Sequence, residues 1–224
     1  MPNIGFRICS KINRPPKELI QGFATFPVPN IADNMGRMFC AAPEIKPYNS
    51  AKLLGPAFTV RAPVGDNLMF HKAIDLAEPG DILVVDGQGD TTRSLVGEIM
   101  VRWAMARKLG GMVVDGSIRD CGAIKELDFP VYARGVCPMG PFKNGPGEIN
   151  VPVTCGGAIV FPGFIVVGDE DGVVFIDPRD APDLIKKTKA HNDKEKVTFE
   201  KIKAGTLDRS WVDQALKEKG CEFI

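Results

Sequence analysis

The sequence predicts an α/β protein, with a partly parallel sheet, helices packed on it and helical arms at both ends. Two observations predict this. Between Ala57 and Ala133, short apolar runs alternate with stretches of helical spacing, the βαβ rhythm of parallel strands. Beyond Gly140 the runs crowd together, separated by Gly, Pro and Asp, which suits antiparallel or mixed pairing.

Residues 1–50 read as an N-terminal arm of short helices. Pro15 and Pro16 open one at Lys17, carrying Leu19, Ile20 and Phe23. Asn30 is placed to cap a second over residues 31–38. Residues 41–50 form a connection, and residues 57–61 a strand. Residues 66–76 have helical spacing, with Leu68, Met69, Ala73, Ile74 and Leu76 apolar. Pro79-Gly80 turns the chain into a strand over residues 82–85. The spacing predicts a helix over 95–109, with Leu95, Ile99, Trp103 and Ala106 on its buried stripe and Gly110-Gly111 at its end. A buried strand begins at Met112, a short helix covers 120–127 and a strand covers 131–133. Further strands fall at 149–153, 158–161, 164–167 and 173–176. Residues 178–224 hold two polar helices, 178–203 and 211–219. With no internal repeat or low-complexity linker, residues 1–224 read as one domain.

A chain of 224 residues can bury a large core without staples. Its 28 Lys and Arg balance 28 Asp and Glu, so no net field argues for a nucleic acid or an anionic membrane. The group Lys186, Lys187 and Lys189 reads as a solvated helix face. The six cysteines form no CxxC or CxxH pair and read as mostly buried thiols of a reducing compartment. Residues 1–7 lack the apolar core of a signal peptide. No run approaches the roughly 18 apolar residues of a membrane span. The expectation is a soluble, cytoplasmic protein with neither nucleic acid nor membrane as partner.

The most informative segment lies between Gly97 and Asp120. A helix begins near Gly97-Glu98-Ile99-Met100. The strand from Met112 ends in Ser117-Ile118-Arg119-Asp120. Side chains just past the carboxyl end of a parallel strand sit where open α/β sheets place their ligands. A helix N-terminus in the same crevice would offer unpaired amides to an anion. Asp120 is a hard oxygen ligand suited to magnesium or manganese, with Glu98 placed to hold a metal water. Arg119 offers a planar fork for a carboxylate or an enolate oxygen. The competing structural reading makes Asp120 a helix cap and Arg119-Asp120 a surface ion pair.

Glu98, twenty intervening residues and then Arg119-Asp120 resembles the acid-x20-Arg-Asp motif of the RraA-like family. That family includes the class II 4-hydroxy-4-methyl-2-oxoglutarate / 4-carboxy-4-hydroxy-2-oxoadipate aldolases. The stretches at 55–60, 77–86, 114–120 and 169–174 also match, so the resemblance covers about residues 20 to 200. It implies a layered α/β/β/α sandwich related to swivelling phosphohistidine domains. It implies a homotrimer or homohexamer with the active site at a subunit interface. By matching position, Asp120 binds Mg2+ (or Mn2+) directly and Glu98 through water, and Glu195 comes from a neighbouring subunit. Arg119 binds substrate and stabilises the enolate, while the amides of Ile99 and Met100, after Gly97, hold the pyruvyl carboxylate. The implied activity is cleavage of a small 2-oxo acid through pyruvate enolate, with oxaloacetate decarboxylation as a side reaction.

The sequence departs from the aldolases in places. Glu98 is one methylene longer than the usual Asp, and Ala123 stands where some aldolases carry an extra acid. The N-terminal arm and the loop 139–148 are individual to this chain. Two alternatives follow from the resemblance: a protein-binding regulator of a ribonuclease, or a relative acting on another metal-chelating acid. Among other candidates, the 87–92 run lacks the third glycine of a dinucleotide turn and reads as a lip beside the crevice, with Arg93 as a substrate contact. His71 reads as an ordinary helix residue and His191 as solvated. Asp169-Glu170-Asp171 reads as a strand turn rather than a calcium loop.

Overall fold

The computed structural model describes residues 3–222 and residue 224. The first third holds β1 (Phe6–Ile8), α1 (Lys17–Gln21), α2 (Val28–Asn34), β2 (Lys46–Pro47), β3 (Leu53–Arg61) and α3 (Leu68–Leu76). The middle holds β4 (Ile82–Asp86), β5 (Ser94–Val96), α4 (Glu98–Ala106), β6 (Gly111–Ile118), α5 (Cys121–Lys125) and β7 (Val131–Val136). There follow β8 (Gly147–Ile149), β9 (Val153–Cys155), β10 (Ala158–Val160), β11 (Ile165–Asp169), β12 (Gly172–Ile176), α6 (Ala181–Lys203) and α7 (Ser210–Glu218).

The alternating middle of the sequence pairs in parallel: β3 with β4, β4 with β6 and β6 with β7. The crowded later strands are antiparallel, β9 with β10 and β11 with β12. Strand β3 serves both groups. Its residues 53–56 pair with β11, and its residues 57–61 pair with β4. Side chains alternate across each strand, so the sheet needs apolar cover on both faces. On one face Phe58, Val60, Leu83, Val85, Met112 and Val114 pack on α3 and α4 through Phe70, Ile74, Val101 and Ala104. On the other, Ala57, Ile82, Val84, Val113 and Tyr132 meet Val153, Cys155, Val160, Val166 and Phe175. The far side of β11 and β12 takes Ile20, Ile31 and Leu184 of the terminal helices and Phe23 of the turn after α1. No helix among the described residues is long and apolar enough to cross a membrane.

Several sequence expectations change. Asn30 does not cap a helix. It lies inside α2, which opens at Pro27, and the Val28 amide is satisfied by the Asp169 carboxylate at 2.8 Å. An early proline is tolerated there because first-turn amides lack intrahelical partners. Leu95 belongs to β5, so the helical stripe counted from it marks the wrong face. Ile99 and Trp103 are 83% and 52% exposed, while Met100, Val101 and Ala104 turn inward. The expected strand over 149–153 splits into β8 and β9 at Asn150, which takes a left-handed φ of 57°. The N-terminal arm also carries two strands, β1 on β8 and β2 on β7. All six cysteines are free thiols, and only Cys155 is fully buried, where desolvation pushes its thiol well above the ordinary range.

Candidate active site

Strands β5 and β6 run in parallel and end together. Past the end of β6 the Arg119 amide donates to Val96 O at 3.0 Å, and Asp120 takes a left-handed backbone, φ 59°. A non-glycine residue adopts this conformation at a cost, and such strain concentrates at functional sites. The turn throws the Asp120 carboxylate back onto the start of α4, where Oδ2 accepts the Glu98 amide at 3.0 Å. Gly97 makes this approach possible. A Cβ there would collide with the Asp120 carboxylate and press on Arg119 Cγ at 3.0 Å. The Asp120 side chain thus makes no cap bond to α5, which it opens, and instead closes the start of α4, while its pair with Arg119 stays slack. Arg119 Nε lies 3.7 Å from Asp120 Oδ2, and both side chains are over two-fifths exposed.

These residues border a crevice of about 160 Å3. Gly97, Ile99, Met100, Arg119 and Asp120 line it, joined by Asn67, His71 and Lys143. The Ile99 amide has no acceptor among the described residues, whereas the Met100 amide donates to Gly97 O at 3.1 Å. Glu98 lies outside the lining, and its Oε1 accepts Arg102 Nε at 2.7 Å. Glu195 is on α6, hydrogen-bonded to Asn30 with His191 3.6 Å away, and is likewise absent from the crevice lining of its own chain. Burial, and then the nearby Lys143 charge, push the His71 imidazole below its usual range, so it is neutral near pH 7.

One border of the crevice is the loop after β7. The buried Asp66 carboxylate accepts the amides of Asn144 at 2.6 Å, Gly145 at 3.0 Å and Leu68 at 2.9 Å. Phe142 exchanges backbone bonds with Gly65 and Asn67, and Ser94 holds Met139 O through both amide and hydroxyl. Arg93, expected as a substrate contact, instead donates to Gly140 O at 2.9 Å and lies 4.2 Å from the Phe142 ring centroid. It braces the loop.

The donor set suits magnesium, which binds through one or two carboxylates and keeps several waters. Asp120 Oδ1 has no protein hydrogen bond among the described residues. Asn67 Nδ2 donates to Leu95 O at 2.8 Å, which fixes the amide orientation and leaves its buried Oδ1 without a donor. The free carboxylate oxygen of Asp120 at this crevice suits a hydrated cation. Among the described residues, no three His, Cys, Asp or Glu side chains converge as ligands. For Glu98 to hold a water it must use its other oxygen or release Arg102.

Sequence reasoning missed Asn67 and Lys143 and set His71 aside. Asn67 and His71 sit four apart at the start of α3, a spacing that puts them on one helix face and could have flagged them together. Lys143 carries no local signal, because its loop reaches the crevice only through contacts from distant residues.

A family profile described as RraA-like (Aldolase/RraA) matches residues 28–175. The chain is 40% identical over 173 residues to a Halalkalibacterium halodurans protein named "Putative 4-hydroxy-4-methyl-2-oxoglutarate aldolase", covering 77% of this chain and 82% of that one. The crystal structure of Streptomyces coelicolor RraAS2, described as an unusual member of the RNase ES inhibitor RraA family, matches with TM-score 0.74 and 25% identity, over 84% and 98% of the two chains. The RNA-processing inhibitor RraA from Thermus thermophilis matches with TM-score 0.61 and 29% identity, over 67% and 92%. Matched across two thirds of its length and 40% identical to a relative of similar extent, this α/β chain belongs to the RraA-like family.

Proposed function

We propose that the protein is a divalent-metal-dependent lyase of the class II pyruvate-aldolase type, acting on 4-hydroxy-4-methyl-2-oxoglutarate or a close relative. The observation that carries this reading is the slack Arg119-Asp120 pair, facing a crevice beside an unpartnered amide. Asp120 would hold magnesium, with Glu98 reaching it through water and Glu195 supplied by a neighbouring copy in a trimer or hexamer. Magnesium, when bound, supplies Lewis acidity to the 2-oxo and carboxylate oxygens.

The chain's own residues do the rest. The Ile99 amide anchors the carboxylate at the start of α4, where the helix dipole favours an anion. Cleavage breaks the C3–C4 bond, leaving its electron pair as pyruvate enolate while the C4 hydroxyl loses its proton and becomes a carbonyl. Arg119 sets a fixed positive charge where the enolate oxygen develops. A water near Glu98 takes the hydroxyl proton and a proton returns to C3, so one substrate yields two pyruvates. Oxaloacetate would lose carbon dioxide through the same enolate. We read residues 1–224 as one domain, with the two helical groups outermost in an α/β/β/α order akin to swivelling phosphohistidine domains.

The test is pyruvate release from both acids, with magnesium and with a chelator. Release that stops on chelation and on Asp120→Ala supports the reading. Two inert substrates under every divalent metal would reject it in favour of a ribonuclease regulator or a relative with another acid substrate.

A further inference from the structure

The seam between α2 and α6 changes character along its length. Near the start of α6 it is apolar, with Val28 and Ile31 of α2 in one buried cluster with Ala181 and Leu184. The same face of α6 continues, at spacings of three and four, through Thr188, His191 and Glu195. Here it meets Asn30 and Asn34, and the contacts are polar. Asn30 is 6% exposed, and its Nδ2 donates to both Asn192 Oδ1 and Glu195 Oε2. Asn34 Nδ2 donates to Asn30 O at 2.8 Å, which fixes the orientation of that amide, and bonds His191 Nδ1 at 3.1 Å. The Nδ1 atom is therefore an acceptor and the ring proton lies on Nε2, which stands 3.6 Å from Glu195 Oε1. His191, expected to be solvated, is thus held between an amide and a carboxylate. Thr188 is fully buried, and its hydroxyl has no partner among the described residues. Burying such a set costs more than burying leucines would, so stability alone does not account for it. Glu195 is also the last residue of α6 that is not fully exposed.

We infer that Asn30 and His191 are positioning residues for Glu195, one facing each oxygen of its carboxylate at the point where α6 leaves the body. The inference rests on the reading that Glu195 serves the crevice of a neighbouring copy. A glutamate reaching across a subunit boundary from an exposed helix would lose its rotamer freedom on arrival. The seam removes that freedom beforehand. A carboxylate accepts up to about four bonds, so the one from Asn30 leaves lone pairs for a water or hydroxyl at the neighbouring site.

The test is calorimetry with magnesium, beside the denaturant midpoint. Glu195→Gln should weaken magnesium binding by about tenfold, the scale of an outer-shell partner. Asn30→Leu and His191→Leu should each weaken it severalfold while leaving the midpoint unchanged or raised. His191→Gln, which can still offer an N–H to the carboxylate, should recover most of the loss. In the Glu195→Gln background neither leucine change should have a further effect. In pyruvate release the two leucine variants should lower kcat with KM for the acid little changed. Leucine variants that bind magnesium like the wild type, or that weaken it equally with glutamine at position 195, overturn the assignment. Magnesium binding untouched by Glu195→Gln rejects the reading of Glu195, and the seam's role falls with it. A protein that shows the full pattern but releases no pyruvate would sink the lyase reading and keep this one.

Discussion

Two Arg–Asp pairs sit along β6, and they behave in opposite ways. Asp115, inside the strand, is 5% exposed, and its carboxylate is saturated. Arg134 Nε donates to Oδ1 at 2.6 Å, and the Gly156 amide donates to Oδ2 at 2.7 Å. Asp120, two residues past the strand, keeps an oxygen free and lies 3.7 Å from its arginine. A buried, fully bonded pair stitches β6 to β7 and to the turn after β9. An exposed, slack pair leaves its charges available to a ligand. The same residue types thus serve the scaffold in one place and, under the proposed reading, chemistry in the other, and burial with bond count separates the two.

The largest expected effect breaks the buried pair. Asp115→Ala removes the close partner of Arg134 and the acceptor of the Gly156 amide and should lower unfolding free energy by about 1–3 kcal/mol, read from the denaturant midpoint. Equal stability would mean that the tight pair is dispensable and the contrast false. Next comes the slack pair. Arg119→Ala should cut kcat/KM for pyruvate release by about a hundredfold while moving the same midpoint by under about 0.5 kcal/mol. Gly97→Ala should follow, since its methyl displaces the Asp120 carboxylate. Turnover should fall by about tenfold or more, and magnesium affinity should fall with it.

The smallest effect concerns His71. Burial depresses its folded pKa below the unfolded value of 6.5, so the unfolded chain takes up the proton more readily. The stabilisation is complete above that value and is lost as pH falls through it toward the folded pKa. A plot of thermal midpoint against pH should therefore decline more gently below about pH 6.5 in His71→Asn. A decline of the same slope would show that other groups control it.

Much of this was legible before any coordinates. The βαβ rhythm identified the parallel strands, because strands covered on both faces read as unbroken apolar runs such as Ile82-Leu83-Val84-Val85. The end of β6 beside Arg119-Asp120 and the start of α4 near Gly97 followed from local residue types, whereas the left-handed turn at Asp120 did not. What failed had a shared cause. Leu95 fits a helix by spacing, yet pairing with β6 draws residues 94–96 into the sheet. Asn30 looks like a cap, but the carboxylate that satisfies α2 arrives from Asp169, far along the chain. The border loop is tied through the Asn144 amide to Asp66, 78 positions earlier. Long-range bonds carry no periodicity, so no window of sequence reveals them.

The pinned loop has a consequence for timing. With its border tied at Met139, Phe142 and Asn144, the aperture is set before any acid arrives. Association should then climb in proportion to ligand concentration instead of levelling off at the pace of an opening step. Under the proposed reading the enolate carbon takes its proton from a solvent-exchangeable donor, so deuterium from heavy water should appear on the methyl group of released pyruvate.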